Sequence, residues 1–215
     1  MKKKLFVGLV LGLFFIAMTE MVNANVLTFD DISFPGDTGQ IPDSYVGLTW
    51  SSAWRVNDQI GFSAGQGFMF GAVSGSQTVF NGWGADVTIV SNDEFIFKGA
   101  YLTSAYNKDL NIQIIGKNNG VTLYDTSIIA PVPQTELAAF SAKWFQFDYS
   151  GIDELQFSSF GGTAGTDVFG NLNPSNTHFV MDNFIYVPVP EPATVLLLGA
   201  GLAGLVCARI KRKEK

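Results

Sequence analysis

The chain has 215 residues, of which 13 are basic, 19 acidic, one histidine and one cysteine, and phenylalanine leads an aromatic share of 13%. The basic residues gather at the two ends, so residues 25–187 keep five against sixteen acidic ones, a net charge of −11 over a length that suits one domain. That balance argues against a nucleic-acid partner. A single cysteine, Cys207, excludes a disulfide scaffold and any zinc site built on four cysteines or on two cysteines and two histidines.

Lys2, Lys3 and Lys4 precede an apolar run of 14 residues, Leu5 to Met18, and small residues follow in Val22-Asn23-Ala24. Residues 1–24 therefore read as a secretory signal peptide, cut by signal peptidase between Ala24 and Asn25. An uncleaved anchor is the alternative, and the run is short for it.

Between 25 and 187 no run has helical period. Short β-rich runs recur instead, separated by Gly, Asn, Asp and Pro. In chain order they are Val26–Ile32, Leu48–Val56, Gln77–Phe80, Asp86–Val90, Phe95–Tyr106, Asn111–Ile115, Val121–Tyr124, Trp144–Phe147, Glu154–Phe157 and Phe179–Tyr186. Ser127–Ile129 extends the seventh. Asn119-Gly120 marks a hairpin, because both residues tolerate positive φ. Ser150-Gly151 reads as a turn between two strands, and residues 158–177 as a long loop. Eight to ten strands with turn signals every 8–12 residues predict an all-β fold, a jelly-roll β-sandwich.

Val187-Pro188-Val189-Pro190-Glu191-Pro192 follows, too rich in proline for helix or inner strand. Residues 188–192 read as a stiff spacer. Residues 193–208, without charge, read as a short transmembrane helix, and 209–215 as a basic cytoplasmic tail. Both basic ends begin on the cytoplasmic side, with the acidic middle translocated. Gly199/Ala203, Ala200/Gly204 and Gly204/Ala208 permit close helix packing, or plain packing in lipid.

Val189-Pro190-Glu191-Pro192-Ala193-Thr194, a Gly-rich apolar segment and an Arg/Lys cluster, in that order, resemble the PEP-CTERM sorting signal over roughly the last 27 residues. The same segment is also called an ice-binding-protein C-terminal domain, though it carries no ice-binding face. The resemblance implies a Gram-negative bacterium that makes exopolysaccharide. It also implies an exosortase-type membrane protease that cuts near Pro-Glu-Pro and releases or transfers the body to the cell surface. Val189, Pro190, Glu191 and Pro192 are then the sorting motif, with Glu191 a recognition residue in a substrate rather than a catalyst.

Leu27-Thr28-Phe29-Asp30-Asp31, the segment from Ile41 to Trp50, and Phe179 to Phe184 resemble, in that order, galactose-binding-like jelly rolls, which also occur as carbohydrate-binding modules. In such folds the first and last strands are neighbours. Asp30, Asp31, Asp182 and Asn183 would then supply hard oxygen ligands for a structural Ca²⁺, the only cofactor implied and not a required one. Alternation points Asp30 and Asp31 to opposite faces, so one of them alone can serve such a site. The competing reading is turn carboxylates bonded to backbone N–H groups.

Among Trp50, Trp54, Trp83 and Trp144, Trp83 in Asn81-Gly82-Trp83-Gly84 is the candidate for stacking on a sugar ring. Trp144, alternating with Phe145 and Phe147, reads as core. Catalysis has little footing. His178 is the lone histidine and Gly-x-Ser-x-Gly is missing; nothing marks a carboxylate pair among Glu94, Glu136 and Glu154; no lysine of a phosphate-binding loop follows Gly61–Gly71. The reading is a non-catalytic protein, first anchored at the inner membrane, then at the surface of a Gram-negative envelope or in the extracellular matrix with exopolysaccharide. The alternatives are a calcium-supported carbohydrate-binding module and, behind it, a carboxylate-dependent hydrolase.

Overall fold

The computed structural model describes residues 23–58, 66–131, 142–164, 177–189 and 201. Among them are ten strands: β1 (Asn25–Leu27), β2 (Thr38–Gln40), β3 (Thr49–Trp50), β4 (Trp54–Asp58), β5 (Gln77–Asn81), β6 (Val87–Ser104), β7 (Leu110–Asn118), β8 (Val121–Ala130), β9 (Lys143–Phe160) and β10 (Phe179–Pro188). All the pairings are antiparallel. The order β2-β4-β5-β10-β6-β9-β7-β8 is continuous, with β1 added to β10 and β3 to β6.

The all-β sandwich follows from two long strands that serve both layers. Val87–Val90 of β6 pairs with β3 and with Glu154–Phe157 of β9, whereas Phe95–Leu102 pairs with β10 and with Lys143–Ile152 of β9. Register shifts between Val90 and Gly99 separate the two halves, and such bulges bend a strand. The layers meet through aromatic edges. Trp54 on β4 lies 5.7 Å from Phe157 on β9, and Trp50 on β3 lies 6.0 Å from Phe184 on β10. Phe97 stacks between Phe147 (5.1 Å) and Phe184 (4.9 Å). Offset and edge contacts of this kind add about 0.5–1.5 kcal/mol per pair beyond area burial.

Four sequence readings change. Trp144–Phe147 and Glu154–Phe157 are one strand, because Asp148 and Gly151, at φ of 51° and 65°, make bulges within β9 rather than a hairpin. Asp86–Val90 and Phe95–Tyr106 fuse likewise into β6. Val26–Ile32 shortens to β1, since Phe29 at φ 64° turns the chain before Asp30. Leu48–Val56 breaks into β3 and β4 at a turn through Ser51–Ala53, and a short helix, α1 (Gln66–Phe70), precedes β5. The helix covers the outer face of β5 and β10, where Phe68, Phe80, Ala105, Tyr106 and Val180 form a second small core.

The Asn119-Gly120 hairpin holds: φ of 48° and 76° fit a type I′ turn between β7 and β8. Trp144 is a correction. It pairs with Tyr101 on the face opposite Phe145 and Phe147, half-buried, and its ring lies over Gly99, where a Cβ would come within 2.6 Å of it. Among the described residues no helix is long and apolar enough to cross a membrane. The expected signal peptide through residue 22, the motif residues Pro190, Glu191 and Pro192, and nearly all of the expected C-terminal helix and tail lie outside the described residues.

Candidate functional sites

β10 is flanked by β6 on one side. On the other side β5 pairs with Val180 and Met181, and β1 takes over from Phe184. The handover falls on Asp182 and Asn183, where β10 slips register against β6 and Asn183 takes φ 48°. Asp182 is fully buried on the outer face, beneath the loop that precedes β5. Its Oδ2 accepts the N–H groups of Val73 (2.7 Å) and Ser74 (3.0 Å), and its Oδ1 accepts the Asn183 N–H (2.6 Å). The Ser74 hydroxyl donates to Asn183 Oδ1 at 2.8 Å.

Asp30 grips the same loop further along. Its Oδ1 accepts the N–H groups of Ser76 (2.9 Å) and Gln77 (3.1 Å). Gly75 sits against this carboxylate at φ 52°, where any Cβ would run into it. Asp31 points elsewhere, accepting the Tyr45 hydroxyl at 2.6 Å. Burial and that carboxylate raise the Tyr45 pKa, so the phenol stays a neutral donor. Burial pushes the Asp182 carboxyl up to about 6; the amides of Val73, Ser74 and Asn183 pull it down, and the Asp30 charge adds to the rise.

Three of the four residues proposed for calcium therefore meet at one loop, and Asp31 does not join them. Calcium takes six to eight oxygens. The three here offer two carboxylates and an amide oxygen, with the Ser74 hydroxyl beside them, and the carboxylates already face N–H donors. No group of three or more Asp, Glu, His or Cys side chains at metal spacing occurs among the described residues. In this arrangement the side chains of Asp30 and Asp182 clamp the loop through its N–H groups.

The second candidate is the turn Gly82–Gly84 after β5. Trp83 takes φ 58° and Gly84 φ 64°, a type I′ geometry that bulky residues rarely adopt. The turn is fixed from below. The Gly82 N–H donates to Ala53 O (2.8 Å), and buried Asn81 donates to Ala85 O (3.1 Å) and Ser159 Oγ (2.9 Å) while accepting the Phe179 N–H (2.7 Å). The indole is pushed outward and is 73% exposed, against 2% for Trp50 and 0% for Trp54. The Arg55 guanidinium, from neighbouring β4, lies over the ring at 4.7 Å from its centre.

Ala24 and Asn25 are exposed, and Asn25 is the first residue of β1, opposite Tyr186. Pro188 still pairs with Phe95, and the Val189 N–H donates to Glu94 O (2.9 Å), so the sheet runs to within one residue of Pro190. Glu94 accepts from Asn118 and Glu154 from Lys117, while Glu136 lies outside the described residues. His178 packs among Phe68, Phe80 and Tyr106, and burial pushes it down to about 4. Arg55 escaped the sequence reading. The signal available was that it is the only arginine in residues 25–187.

Residues 188–213 match the PEP-CTERM protein-sorting motif. None of the curated proteins matches the sequence. A DUF4465 family protein from Bacteroides caccae is similar in structure at TM-score 0.51 and 12% identity, over 78% of this chain and 100% of that one. The K1 cleaved adhesin domain of Lys-gingipain from Porphyromonas gingivalis W83 aligns at TM-score 0.38 and 11% identity, over 79% and 99%. TmCBM61, solved in complex with beta-1,4-galactotriose, aligns at TM-score 0.33 and 9% identity, over 68% and 90%. The first of these likenesses supports the sandwich fold and nothing finer.

Proposed function

We propose that this is an exported, non-catalytic protein of the cell envelope or extracellular matrix. In this reading signal peptidase cuts it after Ala24, and an exosortase-type membrane protease cuts it near Pro190-Glu191-Pro192. The observation that carries this reading is the sorting motif at 188–213, which begins where β10 ends. Every described strand lies before that boundary, so removal of the tail leaves the sandwich whole. Intact-mass measurement of the protein from its own host, in membrane and medium fractions, tests it. A species from Asn25 to about Pro190–Pro192 is expected. A species that keeps Arg209–Lys215 and stays in the membrane overturns it.

A second reading, a carbohydrate-binding module, has one observation in its favour: Trp83 is held outward on a rigid turn, as a platform for the C–H face of a sugar would be. Exopolysaccharide would be the polymer met at the surface. A Trp83→Ala variant with unchanged affinity for sugar oligomers would remove it.

A further inference from the structure

Residues 25–187 hold five cations. Lys98 pairs with Asp148 and Lys117 with Glu154, while Lys143 lies over the Phe145 ring. Lys108 stands apart from β4 and β5, in the bridge to Thr163. Arg55 makes no ion pair and no side-chain hydrogen bond with any described residue, and its guanidinium carbon lies over the Trp83 ring, 4.7 Å from its centre. Stacking occupies the face of a guanidinium and leaves its edge, with up to five N–H donors, to solvent. That edge matches a carboxylate in two parallel hydrogen bonds, a fit that lysine lacks. In a domain with sixteen acidic residues, an arginine without a carboxylate partner among the described residues, beside an aromatic with a strained backbone, is an arrangement that stability alone does not explain.

We propose that Trp83 and Arg55 form a subsite for an acidic saccharide. The open indole face takes the C–H face of a pyranose, and the Arg55 edge takes a carboxylate on that sugar or the next one. The inference rests on the sugar-stacking reading of Trp83 and adds to it the charge of the ligand. The domain's net negative charge does not forbid the contact, since at physiological salt charges beyond about 8 Å are largely screened.

The test uses the full-length chain in detergent micelles, titrated with trigalacturonate, its methyl ester and neutral galactotriose, with the heat of binding in a titration calorimeter as the readout. Wild-type protein should prefer trigalacturonate over both neutral ligands by at least about tenfold. Arg55→Gln should abolish that preference while keeping galactotriose affinity within about twofold, and Trp83→Ala should weaken all three ligands. An equal affinity for trigalacturonate and its ester overturns the acidic subsite without needing any variant to fold. Arg55→Gln with an unchanged preference does the same. In both cases stacking survives if Trp83→Ala still weakens galactotriose. Trp83→Ala without effect on any ligand removes both readings.

Discussion

The β10 bulge and the Trp83 turn are built from opposite use of polar groups. At the bulge, Asp182 and Asp30 take five backbone N–H groups between them, and the loop before β5 is pinned across the junction of β5 and β1. At the turn, a buried amide, Asn81, satisfies the backbone from beneath, and the side chains above it, Trp83 and Arg55, have contacts to spare. A charge consumed by internal donors holds a fold together, whereas a charge with no ion pair among the described residues is available to a partner.

The sharpest way to break this contrast is Asp182→Ala. It strips three half-buried amides of their acceptor, and we expect a loss of about 2–4 kcal/mol in urea unfolding. A loss below about 1 kcal/mol would mean that water already serves those amides. Gly75→Ala should cost about 2 kcal/mol, because its Cβ meets the Asp30 carboxylate at a φ that alanine resists. Thermal melting reads this directly, and an unchanged midpoint would show that the loop is free to shift.

Next in size is a pH effect. Asp182 rises from 3.8 to about 6 in the fold, so between these values the native state keeps a proton that the unfolded chain has lost, and stability falls as pH rises. His178 falls from 6.5 to about 4, so over the same span the native state lacks a proton that the unfolded chain holds, and stability rises with pH. The two slopes oppose each other between about pH 4 and 6. Asp182→Asn should uncover the His178 slope, seen as a urea midpoint that climbs with pH more steeply than in wild type. Parallel profiles for the two proteins would refute the Asp182 contribution.

Trp83→Gly should leave stability within about 0.5 kcal/mol, since the lost cation–π contact of about 0.5–1 kcal/mol is offset by relief of the positive φ. A large loss would make Trp83 part of the fold rather than of a site. Smallest of all, calcium at millimolar concentration should move the melting midpoint by under about 1 °C if the clamp stands without it. A shift of several degrees would restore Asp30, Asp182 and Asn183 as ligands.

Local chemistry made much of this legible. Period-two alternation located most of the strands, and Asn119-Gly120 located its hairpin, because turn type depends on two residues and their tolerance of positive φ. The same reasoning failed at Ser150-Gly151. A glycine at positive φ serves a hairpin or a bulge equally well, and the choice in β9 was made by β6, which pairs with both halves. It failed also at Trp144, where the inward face of a strand that crosses two layers is set by bulges with no sequence mark.

What the sequence by itself determined is the all-β character, the basic ends and the sorting motif, all properties of residues close together in the chain. Tertiary structure alone decided that Asp30 and Asp182, but not Asp31, grip one loop, that Trp83 is exposed while Trp50 and Trp54 are buried, and that Arg55 rests on Trp83. These are contacts between residues as far apart as Ser74 and Asp182, 108 positions along the chain. Strand register underlies them, and a shift of one residue in register would turn Trp50, Trp54, Arg55 and Asp182 to the other face.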